Sequence, residues 1–395
     1  MTTENKKTLT VKELAKFEQV QPMWKIVLSQ FLEHKMAVVG SVIITLFLFI
    51  ALLAPGIKYV TGLDPERQNP MKRFEKPLSV VSLTENQKEE HLLKFAEDDS
   101  EAARQLEVLL APLGIQKLTQ LAQMETLDAL SKIQEIKSSE NIGSITQLTK
   151  IVKNFDTLHL FGTDELGRDV FIRLVYGTRV SMGIGILVAI ASTIIGLLIG
   201  SFSGYYGGLI DTTLMRATDS LLSLPVVPVQ IVIASVDMNK LPLFKEWIGG
   251  ENESVIKLVF ILLLFSWMGT ARLVRGSILS IREREFILAS KTLGARDTTI
   301  IFRHMFPNVV APLLVSVTLG VGESILFEAA LSFLGLGIQP PTPSWGNMLM
   351  NAQDLMYQAP FLAILPGLLI LSTTISFNYV GDGLQDAVDP KAIRR

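Results

Sequence analysis

The sequence predicts an all-α, polytopic membrane protein. Of its 395 residues 49% are hydrophobic and only 19% charged, the mean hydropathy is +0.39, and the apolar residues gather into long runs without charge. Soluble domains carry roughly a quarter charged residues, so this balance points to several membrane spans rather than one large soluble core. The formal net charge of -2 supplies no pervasive basic face, which argues against a nucleic-acid partner. Cysteine is absent, and with it disulfide scaffolds, thiolate zinc sites and cysteine nucleophiles.

Each span follows from an uncharged run. Residues 36–57 hold 22 residues without a charge, enough for a hydrocarbon core that takes about 20 helical residues, and the long charged segment before them is unlike a cleaved leader. Further runs are Val180–Ile210, Ser220–Val236, Leu258–Ala271, Asn308–Leu334 (interrupted by Glu323 and Glu328) and Leu355–Tyr379. Leu258–Ala271, at 14 residues, is short for a crossing by itself.

Charge placement decides that case. Residues 1–35 form a tail with Lys6, Lys7, Lys12, Lys16, Lys25 and Lys35, a basic excess expected on the cytoplasmic side. Residues 272–303 carry a net +4, while 336–354 contain no Lys or Arg. The first segment belongs inside and the second outside, which requires Leu258–Ala271 to cross. Six helices then bring both termini to the cytoplasm, in agreement with Lys391, Arg394 and Arg395.

Residues 58–158 are different material, rich in charge and helix formers, and predict an extracytoplasmic α-helical insert between the first and second spans. Its helices are expected after Thr84, from Asp99 to Leu110, and over Ile115–Met124, Thr126–Ile136 and Ser144–Val152. Asp99 reads as an N-cap and Gly114 as a stop, with Leu106, Leu109, Leu110 and Leu118, Leu121, Met124 at helical spacing. The remaining 159–395 would be a five-span core with a cytoplasmic loop at 272–307.

No chemistry-bearing pattern appears. P-loop, H-E-x-x-H and G-x-S-x-G motifs are lacking, and the four histidines are scattered, so no catalytic residue, metal site or cofactor of the chain's own is expected. The informative loop is 280–308, in which a helix with Glu285, Ala289 and Thr292 on neighbouring turns, and Ser290 beside them, meets a turn at Gly294-Ala295, followed by a second helix ended before Pro307. Its spacing resembles the EAA loop of ABC-importer permeases. Ala289, Gly294 and Pro307 match; Leu288 stands where that pattern has Glu, Ser290 replaces the second Ala, and His304 and Phe306 occupy its Ile and Leu positions.

Phe161–Val170, Tyr176–Arg179, Glu328–Gly337, Pro340–Gly346, Gly381–Pro390 and the opening Phe31–Gly40 are similar to the C-type permease subunit of oligopeptide/dipeptide/nickel ABC importers. The likeness covers roughly 20–57 and 159–395 and does not carry the insert. It implies a type I importer permease in a bacterial cytoplasmic membrane, forming half of the translocation path. Its implied partners are a second permease, two ATPases that hold ATP and Mg, and an extracytoplasmic peptide-binding protein. A nickel-chelate importer is the alternative within the family. An ion-gradient-driven secondary transporter, or a membrane-anchored interaction module, are the alternatives outside it.

Inside the bilayer, Gly196, Gly200 and Gly204 form a stripe suited to close helix packing. Glu323 is expected on the translocation path or in a structural hydrogen bond, because a carboxylate at that depth needs water or a partner. Glu328 opens a family segment and reads as structural support. Arg216 and Asp219, about one turn apart, are expected to pair.

Overall fold

The computed structural model describes residues 23–82, 85–135, 142–153, 156–236 and 253–388. The lysines before residue 22, most of 237–254, and Lys391, Arg394 and Arg395 lie outside them. In chain order the helices are α1 (Met23–Glu33), α2 (Lys35–Thr61), α3 (Glu85–Asp98), α4 (Ser100–Leu110), α5 (Thr126–Glu135), α6 (Ile142–Lys153), α7 (Val170–Tyr206), α8 (Gly208–Leu222), α9 (Val226–Ser235), α10 (Glu253–Arg282), α11 (Glu285–Thr292), α12 (Asp297–Phe333) and α13 (Phe361–Val388). Two strands, β1 (Ser79–Ser82) and β2 (Asp156–His159), pair antiparallel. Residues 53–175 with 355–362 form one compact unit and the rest of the described chain another.

In the first unit, α3 to α6 stand where the charged segment's periodicity predicts them. The Asp99 carboxylate accepts the Ala102 N–H at 3.1 Å and caps α4, while Gly114 takes a left-handed φ of 85° past its end. One stripe from each helix supplies a shared core, joined by the 3-10 turn Leu118–Gln123 that stands in place of the helix expected over Ile115–Met124: Leu92, Leu106, Leu110, Leu121, Ile133 and Leu148 are all fully buried. The opposite faces are mostly polar, as expected of amphipathic helices that meet water, with Leu93, Val108 and Leu127 exposed among them. The β1–β2 ribbon was not legible, since each strand has four residues and the pairing of Ser79 with His159 joins segments 80 positions apart.

Below the ribbon, residues 159–170 clasp the segment 65–76. Thr163 Oγ1 donates to Lys72 O at 2.6 Å and accepts from Glu75 N at 2.9 Å, and Asn69 N donates to Leu166 O at 3.0 Å. A Cβ at Gly167 would stand 1.8 Å from Asn69 O, so the chain passes there only because the residue has no side chain. Asp164 binds Arg168 Nε at 2.7 Å and lies 3.4 Å from Arg173 Nε, whose Nη1 reaches Pro65 O. Asp169 accepts Ile172 N through one oxygen at the start of α7 and meets His159 Nδ1 at 2.5 Å through the other. Thr163, Asp164, Arg168 and Asp169 of the motif spanning Phe161 to Val170 are therefore buried and partnered in one polar joint.

The second unit holds the long helices. α2, α7, α10, α12 and α13 are long and apolar enough to cross a bilayer. Three expectations about the spans change. α7 begins at Val170, ten residues before the uncharged run, because Arg173 and Arg179 belong to the same helix. The run Ser220–Val236 is not one straight helix: α8 and α9 meet at 80°. Pro225 stands at the break, where a ring without an N–H cannot continue the ladder and pushes Leu224 away from helical geometry, and α9 spans only about 15 Å. The bent pair makes a sixth passage only when both halves are counted together. The short run Leu258–Ala271 lies within α10, 30 residues long, whose charged last turns hide its length from a charge-free count.

Those charges are paired laterally. Arg275 makes a double contact with Asp211 at 2.5 and 2.6 Å, and Asp211 also accepts from Ser203. Asp219 pairs with Arg272 across the helices rather than with Arg216 in its own. Close backbone approach does the rest. A Cβ would meet Thr270 Cβ at 2.7 Å from Gly196, Ala271 O at 2.4 Å from Gly200 and Ile278 Cβ at 2.9 Å from Gly204, all on α10. The same device joins α2 to α13, at Gly40 against Ser376 O (2.7 Å) and Gly383 against Ala37 Cβ (2.3 Å).

Candidate functional site

The loop between α10 and α12 is a rigid ridge. Ile287, fully buried, anchors α11 in a cluster with Tyr205, Val274, Ile278, Ile281, Ile300, Ile301 and Met305. Three residues at the end of α11 form a complete stop: Gly294 N donates to Lys291 O at 3.0 Å, Ala295 N to Ser290 O at 3.1 Å, and Gly294 adopts φ 76°. Ser290 and Ala295 are thus the two ends of one cap, and Gly294 is the residue between them that the left-handed region favours. Tyr205 Oη donates to Asp297 at 2.6 Å, and Lys291 Nζ lies 4.9 Å from the Tyr205 ring centre. Arg282 Nη1 donates to Gly204 O and Tyr205 O.

On the outer side of this ridge Glu285, Phe286, Leu288, Ala289 and Leu293 are exposed, Leu293 by 87%. Leu288, in the place of the expected Glu, therefore adds apolar surface. The second helix does not end before Pro307. It runs on as a π-turn, Ile300–Met305, into the rest of α12, and Pro307 sits in the first turn after that widening. A π-turn is a common place to absorb a residue that cannot donate, so the proline is carried inside the span.

The two carboxylates of α12 have opposite settings. Glu328 is fully buried: Ser181 Oγ donates to Oε2 at 3.0 Å and Ser332 Oγ to Oε1 at 2.9 Å. The same hydroxyls accept backbone N–H groups, Ser181 from Trp345 and Ser332 from Ile338, so the hub ties the segment 338–346 to α7 and α12. Trp345 is fully buried, edge-on to Phe47, and a Cβ at Gly346 would lie 2.7 Å from Ala329 Cα. Glu323 is exposed and makes no hydrogen bond or ion pair among the described residues. The hub depended on serines far apart in sequence, and only the Glu328–Ser332 spacing of four could have signalled it.

The profile of the binding-protein-dependent transport system inner membrane component matches residues 196–394, and that of the N-terminal transmembrane domain of oligopeptide transport permease C matches 22–77. The chain belongs to this inner-membrane transport family. It is a multi-pass transport subunit and not an enzyme. The dipeptide transport system permease protein DppC of Alkalihalophilus pseudofirmus is 40% identical over 233 residues, covering 59% of this chain and 72% of that protein. The glutathione transport system permease protein GsiD of Pectobacterium atrosepticum is 40% identical over 59% and 73% of the two chains, and the oligopeptide permease OppC of Bacillus subtilis 38% over 59% and 72%. α3 to α6 fall between the two profile matches, and neither profile covers the helical insert.

Proposed function

We propose that this permease forms half of the peptide path of an ATP-driven importer in the bacterial cytoplasmic membrane, with both termini cytoplasmic. Its partners in this reading are a second permease, two ATPases carrying ATP and Mg, an extracytoplasmic binding protein and the surrounding lipid. Relatives named for dipeptide, oligopeptide and glutathione transport support a peptide substrate.

The observation that carries the coupling role is the exposed ridge of α11. Apolar side chains at 286, 288 and 293 stand outward on a helix whose inner face is locked by Ile287, Tyr205 and the Gly294 cap. Such a ridge can sit in an ATPase groove and transmit its closure as rigid-body motion, since it has little freedom to bend instead. The neighbouring arginines serve topology and docking charge. Glu328 acts as a structural joint, and the Gly196–Gly200–Gly204 stripe as a packing seam. The insert seats the binding protein, and binding of that protein unchanged after deletion of 83–155 would exclude this role.

The decisive experiment replaces Gly294 in the assembled importer. Open space surrounds the position, so the effect comes from φ rather than from crowding. Gly294→Val, β-branched and disfavoured at positive φ, is expected to weaken ATPase association and ATP-dependent uptake while membrane insertion persists; Gly294→Asn, which tolerates this region, retains most of both. Full uptake by the valine variant would remove the coupling assignment.

A further inference from the structure

From Phe306 to Val388 the chain contains no Lys, Arg or His and five acids, Glu323, Glu328, Asp354, Asp382 and Asp386. Glu328 is consumed by its serine hub. Glu323 stands ten residues before the end of α12, about 15 Å along the axis, which is half the thickness of a ~30 Å hydrocarbon core. Its neighbour Gly322 packs on α13, where a Cβ would lie 3.4 Å from Thr374 Cγ2 and 3.6 Å from Asn378 Oδ1. Helical rotation of about 100° per residue then puts the exposed Leu319, Glu323 and Leu326 of α12 on the same side of the packed pair as the exposed Ile375, Asn378 and Asp382 of α13. Asn378, like Glu323, has no hydrogen-bond partner among the described residues.

This face therefore presents acceptor oxygens from two helices at mid-bilayer depth, framed by leucine and isoleucine and without a cation on α13 or on α12 beyond His304. Lipid is a poor neighbour for it, because an ionised carboxylate in hydrocarbon costs several kcal/mol. A counter-ion that arrives and leaves suits it better. We infer that Glu323 with Asn378 is a station for the ammonium group of a peptide passing along the path, a carboxylate and an amide oxygen taking the place of water around the cation. This rests on the peptide-importer reading above.

The absence of cysteine makes the test direct. Asn378→Cys is introduced into the assembled importer, and labelling of this chain by cationic and anionic methanethiosulfonate reagents is followed on a gel. With each rate divided by that of the same reagent on a free thiol, whose own charge already favours the cation, the cationic reagent should react about tenfold faster, a local field effect of one carboxylate in a low-dielectric cleft. Glu323→Gln should abolish that preference and Glu323→Asp should restore it. No labelling at all, or equal rates, would place the face against lipid or the second permease and overturn the station. Uptake of a free-amine dipeptide should fall several-fold in Glu323→Gln and recover in Glu323→Asp. A cation preference with unchanged uptake refutes the ammonium role, whereas a wild-type importer that takes up no peptide refutes the proposed function and leaves the labelling result standing.

Discussion

The helical insert and the membrane body are held together by different physics. In the insert, four amphipathic helices bury one stripe each, and the fully buried Leu92, Leu106, Leu110, Leu121, Ile133 and Leu148 form a core that excludes water. In the membrane body large apolar side chains such as Leu52 and Ile194 face outward, 79% and 52% exposed, since lipid accepts them. Cohesion there comes instead from glycines that let backbones touch and from polar groups that satisfy one another. A side chain removed from the insert leaves a hole; a side chain added to the membrane seams forces the helices apart.

Substitutions sharpen that contrast. The largest effect is expected from Gly200→Leu, whose first carbon would already stand 2.4 Å from Ala271 O. Overpacking there should cost about 3 kcal/mol or more and deplete folded protein in detergent-extracted membranes, measured by size-exclusion chromatography. Leu106→Ala, the opposite change in the other region, should cost about 2–5 kcal/mol and open the insert to limited proteolysis while the long helices stay protected. Leu52→Ala should leave both readouts within about 0.5 kcal/mol.

A pair within one helix tests the polar half of the argument. Glu328→Ala leaves Ser181 and Ser332 without their acceptor and should lower thermal stability by about 2–4 kcal/mol, as buried groups lose partners. Glu323→Ala should leave the melting temperature unchanged, having no partner to strand. If the two melt alike, burial and hydrogen bonding do not distinguish these carboxylates.

The smaller effects belong to the insert. Asp99→Ala removes the cap on α4 and should cost about 1 kcal/mol in urea unfolding of the insert. His91, beside Arg67 Nη2 at 2.7 Å, is held below its usual range, first by burial and then by the Arg67 charge. Its neutral form is the one that fits the fold. The unfolded chain binds the proton more readily, so stability declines as pH falls below about 6.5, until the folded-state value is passed. The decline should be shallow because the ring is partly exposed, and His91→Gln should flatten the urea midpoint between pH 7.5 and 5.5.

Much was legible because its physics is local. Asp99 and Gly114 marked real helix ends, the leucine spacing marked the insert's core, and Ala289–Gly294 marked the turn at the end of α11. The errors share one cause. Counting uncharged residues ended α10 at Arg272 and delayed α7 past Arg173, because an ion pair with a distant partner lets a charge remain in a membrane helix. Pro225 and Pro307 look alike in sequence, yet one breaks a span by 80° and the other is carried through a π-turn.

Composition and periodicity by themselves determined the class of protein, the charged insert and the position of the α11 ridge, because hydropathy and helix capping act over a few residues. Tertiary structure alone decided which partner each polar group has. Glu323 and Glu328 lie five residues apart in one apolar helix, and nothing in their immediate sequence separates an open carboxylate from a buried joint. The difference comes from Ser181 on α7 and from the loop around Trp345, which only folding brings to one of them.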